Sequence, residues 1–261
     1  MCNAFSLRHS RDELHRFVEE LGLQLADPLP EAAPRYRIGP RERPLIFRPA
    51  AKGEDGGRVR AENALWDLIP PGESQGNGGN PAAPHAGRSG YLLTNARSDK
   101  LAHGWPWRLV AQRGRVLVPA DGFYEPDKPA RDKGKAPWSY YARPDGGLFA
   151  FAGLCSETLD PQSGEIVTSF AIVTTEANAT VRARRHDRMP VLLPPEQAKA
   201  WLFAERLPEA LLRPAPENAP DEVLTAWRVG AAAKNFRLPD HPGMIAPAEE
   251  TAPAARQGVL F

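Results

Sequence analysis

The residue with the most distinctive chemistry in this 261-residue chain is Cys2, which directly follows Met1. An initiator methionine before a small residue is normally removed during synthesis, and its removal would leave Cys2 with a free α-amine beside its thiol. The amine titrates at about pH 8 and the thiol at about pH 8.5, so both are partly nucleophilic at neutral pH. The amine can attack an aldehyde, and the thiol can then close on the same carbon to give a stable five-membered thiazolidine. Taken alone, Cys2 is better explained as a tolerated small residue.

Three later segments carry side chains suited to acid, base or phosphate chemistry, and each adjoins an apolar run of strand length. Asn95 and Arg97 follow the apolar run at residues 91–93, and Glu125 follows the run at residues 116–118. His186 precedes the run at residues 191–193. A carboxylic acid and a histidine can exchange protons at neutral pH, and a guanidinium matches the geometry of phosphate oxygens. Each residue alone has a structural explanation, as a turn former, a solvated charge or a polar loop residue, and that explanation is favoured until context supports a motif.

Helices and strands must position these side chains. Ser10 and Glu13 form the pattern of a capping box, and the apolar residues after them predict a helix over residues 11–21 that ends at Gly22. Pro195 begins a second predicted helix within residues 195–206. The runs predicted as strands are residues 35–38, 45–47, 91–93, 116–118, 138–141, 148–154, 170–174 and 191–193. Because successive strands lack helices between them, we predict an α+β single domain, in which mostly antiparallel strands form a curled or barrel-like core with few flanking helices.

We predict one domain over residues 2–247, with a flexible loop rich in Gly, Pro and Asn at about residues 70–90 and a disordered tail at residues 248–261. The net charge of +1 excludes a bulk polycation but allows a local basic groove. Cys2 and Cys155 are too few for a disulfide framework or a cysteine-based zinc site, which fits a reducing cytosol. We expect no metal and no cofactor, and we find neither a signal peptide nor a membrane-spanning run.

In combination, the four segments resemble the SOS response-associated peptidase (SRAP) family, whose members process abasic sites and crosslink to single-stranded DNA. The resemblance depends on four motifs in this order: Met1-Cys2, Asn95-Ala96-Arg97-Ser98, Pro119-Ala120-Asp121-Gly122-Phe123-Tyr124-Glu125 and His186-Asp187-Arg188-Met189-Pro190. Supporting matches are Arg35-Tyr36 with Pro40, Trp66-Asp67-Leu68-Ile69-Pro70, Ile172-Val173-Thr174-Thr175 and Lys234-Asn235. The resemblance extends from residue 2 to about residue 247.

The resemblance implies a role for each matching residue. Cys2 would form a thiazolidine with the ring-opened aldehyde of an abasic site, and Asn95 would position Cys2 or the sugar. Glu125 would act as an acid or base in ring opening and Schiff-base formation, and His186 would be the second proton-transfer group. Arg97 would pair with a phosphate next to the lesion.

Further DNA contacts are expected from Arg188 and from aromatic side chains that could stack on unpaired bases, namely Trp66, Trp105 and Trp107. Core packing explains each tryptophan equally well, and the Trp105-Pro106-Trp107 stretch is the better candidate because it is polar and contains proline. Two positions depart from the family pattern. Ala4 stands where an arginine is frequent, and Asp67 stands where glycine is usual, so that its carboxylate would repel phosphate if it faced the DNA.

The resulting hypothesis is a DNA-damage response enzyme that links Cys2 covalently to abasic sites in single-stranded DNA after removal of Met1. We expect a cytoplasmic monomer that associates with the nucleoid when bound to DNA, and no membrane partner. A lyase step would compete with thiazolidine closure, because a Schiff base at the sugar C1 permits β-elimination. Two alternatives stay open: a Cys2-dependent peptidase or autopeptidase, and a single-stranded nucleic-acid binder without covalent chemistry.

Overall fold

The computed structural model describes residues 2–50, 57–71, 92–127, 136–160, 163–213 and 219–248. Met1, most of the predicted loop at residues 70–90 and the tail from residue 249 lie outside the described residues.

The described residues contain fifteen strands and four α-helices. The strands are β1 (Ala4–Leu7), β2 (Gln24–Leu25), β3 (Arg35–Ile38), β4 (Leu45–Pro49), β5 (Arg58–Asn63), β6 (Leu65–Trp66), β7 (Asn95–Arg97), β8 (Arg115–Ala120), β9 (Gly122–Pro126), β10 (Trp138–Ala142), β11 (Phe149–Leu159), β12 (Ile166–Glu176), β13 (Arg188–Pro190), β14 (Leu192–Leu193) and β15 (Thr225–Val229). The helices are α1 (Arg11–Glu20), α2 (Trp107–Val110), α3 (Ala179–Arg182) and α4 (Pro195–Phe203).

Helix α1 begins and ends as its sequence predicts. The Ser10 side chain accepts from the Glu13 backbone N–H, and the Glu13 carboxylate accepts from the Ser10 N–H in return. This pairing satisfies two of the backbone donors that a helix start otherwise leaves unpaired. Gly22 follows the helix with a φ of 68°, a left-handed conformation that glycine adopts without a steric penalty.

The strands form two sheets. The smaller has the order β15-β10-β9-β1-β3 with antiparallel pairing throughout, and the larger has the order β13-β12-β11-β8-β4-β5-β2. Parallel pairs join β2 to β5 and both β6 and β7 to β12. The α+β prediction with mostly antiparallel strands is confirmed, and among the described residues neither sheet closes into a barrel.

The chain passes between the two sheets at Asp121, which separates β8 in the larger sheet from β9 in the smaller one. The next residue, Gly122, packs so closely against Tyr140 that a Cβ atom would lie 2.1 Å from the phenolic oxygen. Only glycine fits this contact without displacing the tyrosine. The Asp121-Gly122 pair therefore marks the crossing between the two sheets.

The strand predicted at residues 91–93 is absent from the described part of that segment. Leu92 and Leu93 are not in a strand, because the backbone at this point bonds to residues 67 and 68 instead of entering a regular ladder. The Leu93 N–H donates to a carboxylate oxygen of Asp67 at 2.8 Å, which places that buried carboxylate away from solvent. The second predicted helix is confirmed, because α4 begins at Pro195 and ends at Phe203, within residues 195–206.

Candidate active site

Cys2 lies two residues before β1, the strand that pairs with β9 and β3. The residue is fully buried, and its Sγ lies 3.5 Å from the carbonyl oxygen of Ala4. Burial, followed by the nearby charge of Glu125, raises the pKa of the Cys2 thiol well above its ordinary value. At neutral pH the sulfur is therefore a protonated thiol that needs a base when it reacts.

Asn95 holds the backbone of Cys2. Its Nδ2 donates to the Cys2 carbonyl at 2.9 Å and to the Thr94 hydroxyl at 3.0 Å. Strand β7 carries Asn95 along the edge of β12, where it lies opposite Ile172. Its Oδ1 is buried and has no hydrogen-bond partner among the described residues, so this oxygen is an acceptor for a new N–H or O–H donor.

Glu125 and His186 form a buried pair. The Nε2 of His186 lies 3.2 Å from Oε2 of Glu125, and both side chains have no exposed surface. Glu125 is on β9, next to β1 in the sheet, whereas His186 lies in the loop that leads into β13. The fold thus joins two residues that are 61 positions apart in the sequence.

The contacts of the other ring nitrogen of His186 indicate which of its two nitrogens carries a hydrogen. Its Nδ1 lies 2.7 Å from the carbonyl oxygen of Arg188, which can only accept, so Nδ1 carries a hydrogen. The Arg188 N–H approaches the same nitrogen at 3.4 Å and would require the opposite tautomer, but the shorter contact is the stronger one. Nε2 then faces the Glu125 carboxyl group, so a proton can pass between these two side chains.

Arg97 and Arg188 lie together at a cleft of about 350 Å³. Arg97 donates from Nε and Nη2 to the two carboxylate oxygens of Asp99, each at 3.0 Å, and its side chain is half exposed. Arg188 is largely buried, donates to the backbone and hydroxyl oxygens of Thr174, and has Nη1 3.9 Å from Asp99. Two guanidinium groups therefore face one carboxylate at the edge of the site.

The three candidate stacking tryptophans occupy different environments. Trp66 is fully buried between Phe5, at a centroid distance of 5.1 Å, and Phe170, at 6.3 Å. Trp107 is buried as well, whereas 56% of Trp105 is exposed. The structure presents only the Trp105 ring, among these three, to an external base. Trp66 instead holds the core beneath β1.

Asp121 secures the far end of β1. It is fully buried and accepts from the backbone N–H of Arg8 at 2.6 Å, from Arg8 Nε at 3.0 Å and from the Tyr140 hydroxyl at 3.2 Å, with the Ser6 hydroxyl also in contact. His9 Nδ1 lies 3.2 Å from the same carboxylate. Burial disfavours ionisation, but these hydrogen bonds and the charge of Arg8 outweigh it and lower the pKa of Asp121.

Sequence reasoning placed Asn95, Glu125 and His186 around Cys2, and the structure brings these four residues together. It did not identify Asp99 as the partner of Arg97, or Thr174 as the anchor of Arg188. The spacing of Arg97 and Asp99 by two residues was the available signal for the first contact. The second depends on the pairing of β12 with β13, which no local pattern reveals.

The described residues contain no cluster of three or more His, Cys, Asp or Glu side chains that could hold a metal ion. Within the same part of the chain, every helix is too short or too polar to cross a membrane.

Comparison with known proteins identifies the family of this chain. The family model for SOS response associated peptidase (SRAP) matches residues 1–236. The abasic site processing protein YoqW of Bacillus subtilis (strain 168) is 31% identical over 202 residues, which cover 77% of this chain and 80% of that protein. The abasic site processing protein YedK of Escherichia coli (strain K12) is 27% identical over 206 residues, which cover 78% of this chain and 81% of that protein.

Solved structures have the same fold. A crystal structure of a protein from Bacteroides thetaiotaomicron aligns with a TM-score of 0.70 at 21% identity and covers 95% of this chain and 100% of that one. A phage-related protein from Bordetella bronchiseptica aligns with a TM-score of 0.61 at 26% identity and covers 87% of this chain and 94% of that one. The four sequence motifs, the buried site that they build and these matches agree, and the chain belongs to the SOS response-associated peptidase (SRAP) family.

Proposed function

We propose that this protein processes abasic sites in single-stranded DNA by forming a covalent thiazolidine between Cys2 and the lesion, after removal of Met1. The observation that carries the proposal is the burial of Cys2 within reach of the charge of Glu125, with its carbonyl held by Asn95. The relatives named above as abasic site processing proteins support the same substrate.

The state of the Cys2 thiol favours this chemistry over general proteolysis. A cysteine protease needs a thiolate, which a neighbouring histidine or helix start stabilises by lowering the thiol pKa. Here the pKa of Cys2 is raised, and both nitrogens of His186 are in contact with other groups, Arg188 and Glu125. A neutral amine with an adjacent neutral thiol instead suits imine formation followed by ring closure.

Each step of the reaction has a proton-transfer group on this chain. Opening of the deoxyribose ring moves a proton from the C1 hydroxyl to the ring oxygen, and the adjacent Glu125 and His186 side chains supply an acid and a base for this transfer. Attack of the Cys2 amine on the aldehyde gives a carbinolamine, and protonation of its hydroxyl releases one water and leaves an imine. The thiol then adds to the imine carbon, its proton passes to the imine nitrogen, and the thiazolidine is complete.

Phosphate contacts would supply the affinity. Arg97 and Arg188 line the same cleft, and DNA phosphates next to the lesion would take the place of Asp99 as their acceptors. Such contacts read no base, so selectivity for the lesion would come from the aldehyde itself. Trp105 adds an exposed ring on which a neighbouring unpaired base can stack.

The test is a crosslinking assay with single-stranded DNA that carries one abasic site. We expect a heat-stable adduct that Cys2→Ala abolishes and that Cys155→Ala, the matched change at the other cysteine, retains. A crosslink that survives Cys2→Ala would refute the proposal. Salt-dependent binding without any adduct would instead support non-covalent recognition, and cleavage of an unrelated peptide that is lost in Cys2→Ser would support the peptidase alternative.

A further inference from the structure

Tyr141 is a buried residue that has no role in the reaction proposed for Cys2. It lies on β10, has no exposed surface, and belongs to the same hydrophobic cluster as Cys2. Its hydroxyl oxygen is buried and has no hydrogen-bond partner among the described residues. A buried hydroxyl without a partner lowers the stability of the folded state, so proteins seldom retain one without a reason.

The register of the smaller sheet puts this hydroxyl on the face that carries Glu125. Tyr141 lies opposite Phe123, and Ser139 lies opposite Glu125 on the same pair of strands. Residues two apart on a strand share a face, so Tyr141 and Glu125 are diagonal neighbours across β9 and β10. The Tyr141 ring stacks on Phe123 with a centroid distance of 4.9 Å and an interplanar angle of 12°, which fixes the plane of the phenol.

The polar groups nearest to this position are engaged with one another. Ser139 donates to Asp127 at 2.6 Å, and Arg228 Nε donates to the same carboxylate at 3.0 Å. Burial and then the charges of Asp127 and Glu125 raise the pKa of Tyr141, so the phenol keeps its proton at neutral pH. Ser139 also lies close enough to influence the phenol, but its own hydrogen is donated to Asp127. The Tyr141 side chain is therefore a donor held on the site face of the sheet.

The hydroxyl groups of the other two tyrosines on these strands both have hydrogen-bond partners. The Tyr124 hydroxyl donates to the Tyr36 carbonyl at 2.6 Å, and the Tyr140 hydroxyl contacts Ser6 at 2.7 Å. Both belong to the hydrophobic cluster on the opposite side of the sheet, with Ala4. Of these three hydroxyls, the one that shares the face of Glu125 is the one without a partner.

We propose that the Tyr141 hydroxyl binds the substrate by donating a hydrogen bond to a hydroxyl oxygen of the ring-opened abasic deoxyribose beside Glu125. This inference rests on the proposed function, since it names a second contact to the same sugar. Ring opening turns the ether oxygen of the sugar into a free hydroxyl, which is an acceptor that a buried donor can hold. The bond would keep the aldehyde carbon in position for the Cys2 amine.

The test compares Tyr141→Phe with wild type and with Tyr124→Phe. The rate of adduct formation is measured with single-stranded DNA that carries a natural abasic site. Affinity is measured with the same strand carrying a tetrahydrofuran analogue, which cannot open to an aldehyde. We expect Tyr141→Phe to slow adduct formation by about threefold to tenfold, the value of one neutral hydrogen bond, without weakening binding of the analogue.

Stability provides the second readout. Tyr141→Phe should leave the thermal midpoint unchanged or raise it, because it removes a polar atom that has no partner. Tyr124→Phe should lower the midpoint, because it removes a hydrogen bond, and should retain the wild-type rate of adduct formation. A wild-type rate in Tyr141→Phe, or a loss of stability like that of Tyr124→Phe, would overturn the inference alone. Failure of the wild-type protein to form an adduct would overturn the proposed function together with it.

Discussion

Replacing Asp121 with asparagine tests how the fold holds the reactive terminus. The change is nearly isosteric, but it puts an amide NH2 where one carboxylate oxygen now accepts from Arg8. The backbone N–H of Arg8 lies 2.6 Å from that oxygen and its Nε lies 3.0 Å away, so both donors would face another donor. Since Ser6 contacts the same carboxylate, the exit of β1 loosens, four residues after Cys2.

The magnitude follows from these two bonds. Loss of a hydrogen bond to a buried charged acceptor costs about 1.5–3 kcal/mol, which applies to the backbone N–H. The side chain of Arg8 is 30% exposed, so solvent screens its bond and about 0.5–1 kcal/mol is appropriate there. The sum is about 2–4 kcal/mol, and for a domain of this size it corresponds to a fall of about 4–16 °C in the thermal midpoint.

Thermal and urea unfolding of Asp121→Asn would measure the effect, with Asp145→Asn as the matched control. Asp145 accepts from Arg143 Nη2 at 2.7 Å, but its side chain is 60% exposed, so about 0–1 kcal/mol is expected there. Equal effects of the two changes would refute the reasoning.

The pH dependence adds a second check on Asp121. Because folding lowers the pKa of Asp121, its ionisation stabilises the protein fully above the unfolded value of about 3.9 and this contribution is lost as pH falls through the folded value. The difference between wild type and Asp121→Asn should therefore be complete at pH 7 and shrink in acid below about pH 4. A difference that grows in acid would contradict the assignment.

Three further outcomes test the site. Glu125→Gln should slow adduct formation by about 10²- to 10⁴-fold with unchanged affinity for the tetrahydrofuran strand, because it removes an acid–base group and no phosphate contact. In salt titrations of binding, Arg97→Ala should weaken affinity and reduce the slope of log affinity against log salt concentration by about 0.7. Asp99→Asn should strengthen affinity, because it removes the carboxylate that competes with phosphate for Arg97. Trp105→Ala should weaken strand binding by about 1–3 kcal/mol, whereas Trp66→Ala should destabilise the fold by about 3–5 kcal/mol in unfolding experiments, because that ring is core.

Much of the fold was predictable where local patterns and burial agree. Helix α1 carries a complete capping box with buried Leu14, Phe17 and Val18, and its bounds came out within one residue. The apolar runs at β8, β10, β11 and β12 are buried strands, as their composition predicts. The segment at Leu92 and Leu93 failed because an apolar pair does not reveal that its backbone will bond to the side chain of Asp67.

The candidate site was predictable as a set of residue types, but its geometry was not. The residues Cys2, Asn95, Glu125 and His186 were chosen by motif, and their convergence depends on strand pairings that span the whole chain. The role of Trp66 was also not predictable from the sequence, because an aromatic residue in a motif can stack on a base or pack in the core. Its contacts with Phe5 and Phe170 show that it packs in the core.

The central claim is that the α-amine and the thiol of Cys2 react together with one aldehyde carbon. Intact mass spectrometry tests it most directly, on the protein alone and after incubation with single-stranded DNA that carries one abasic site. The account predicts a protein that lacks Met1 and an adduct whose mass is the sum of protein and DNA less one water. Borohydride, which would add two hydrogens to an imine, should leave the mass of this adduct unchanged. Retention of Met1, or the absence of an adduct on a protein that begins at Cys2, would contradict it.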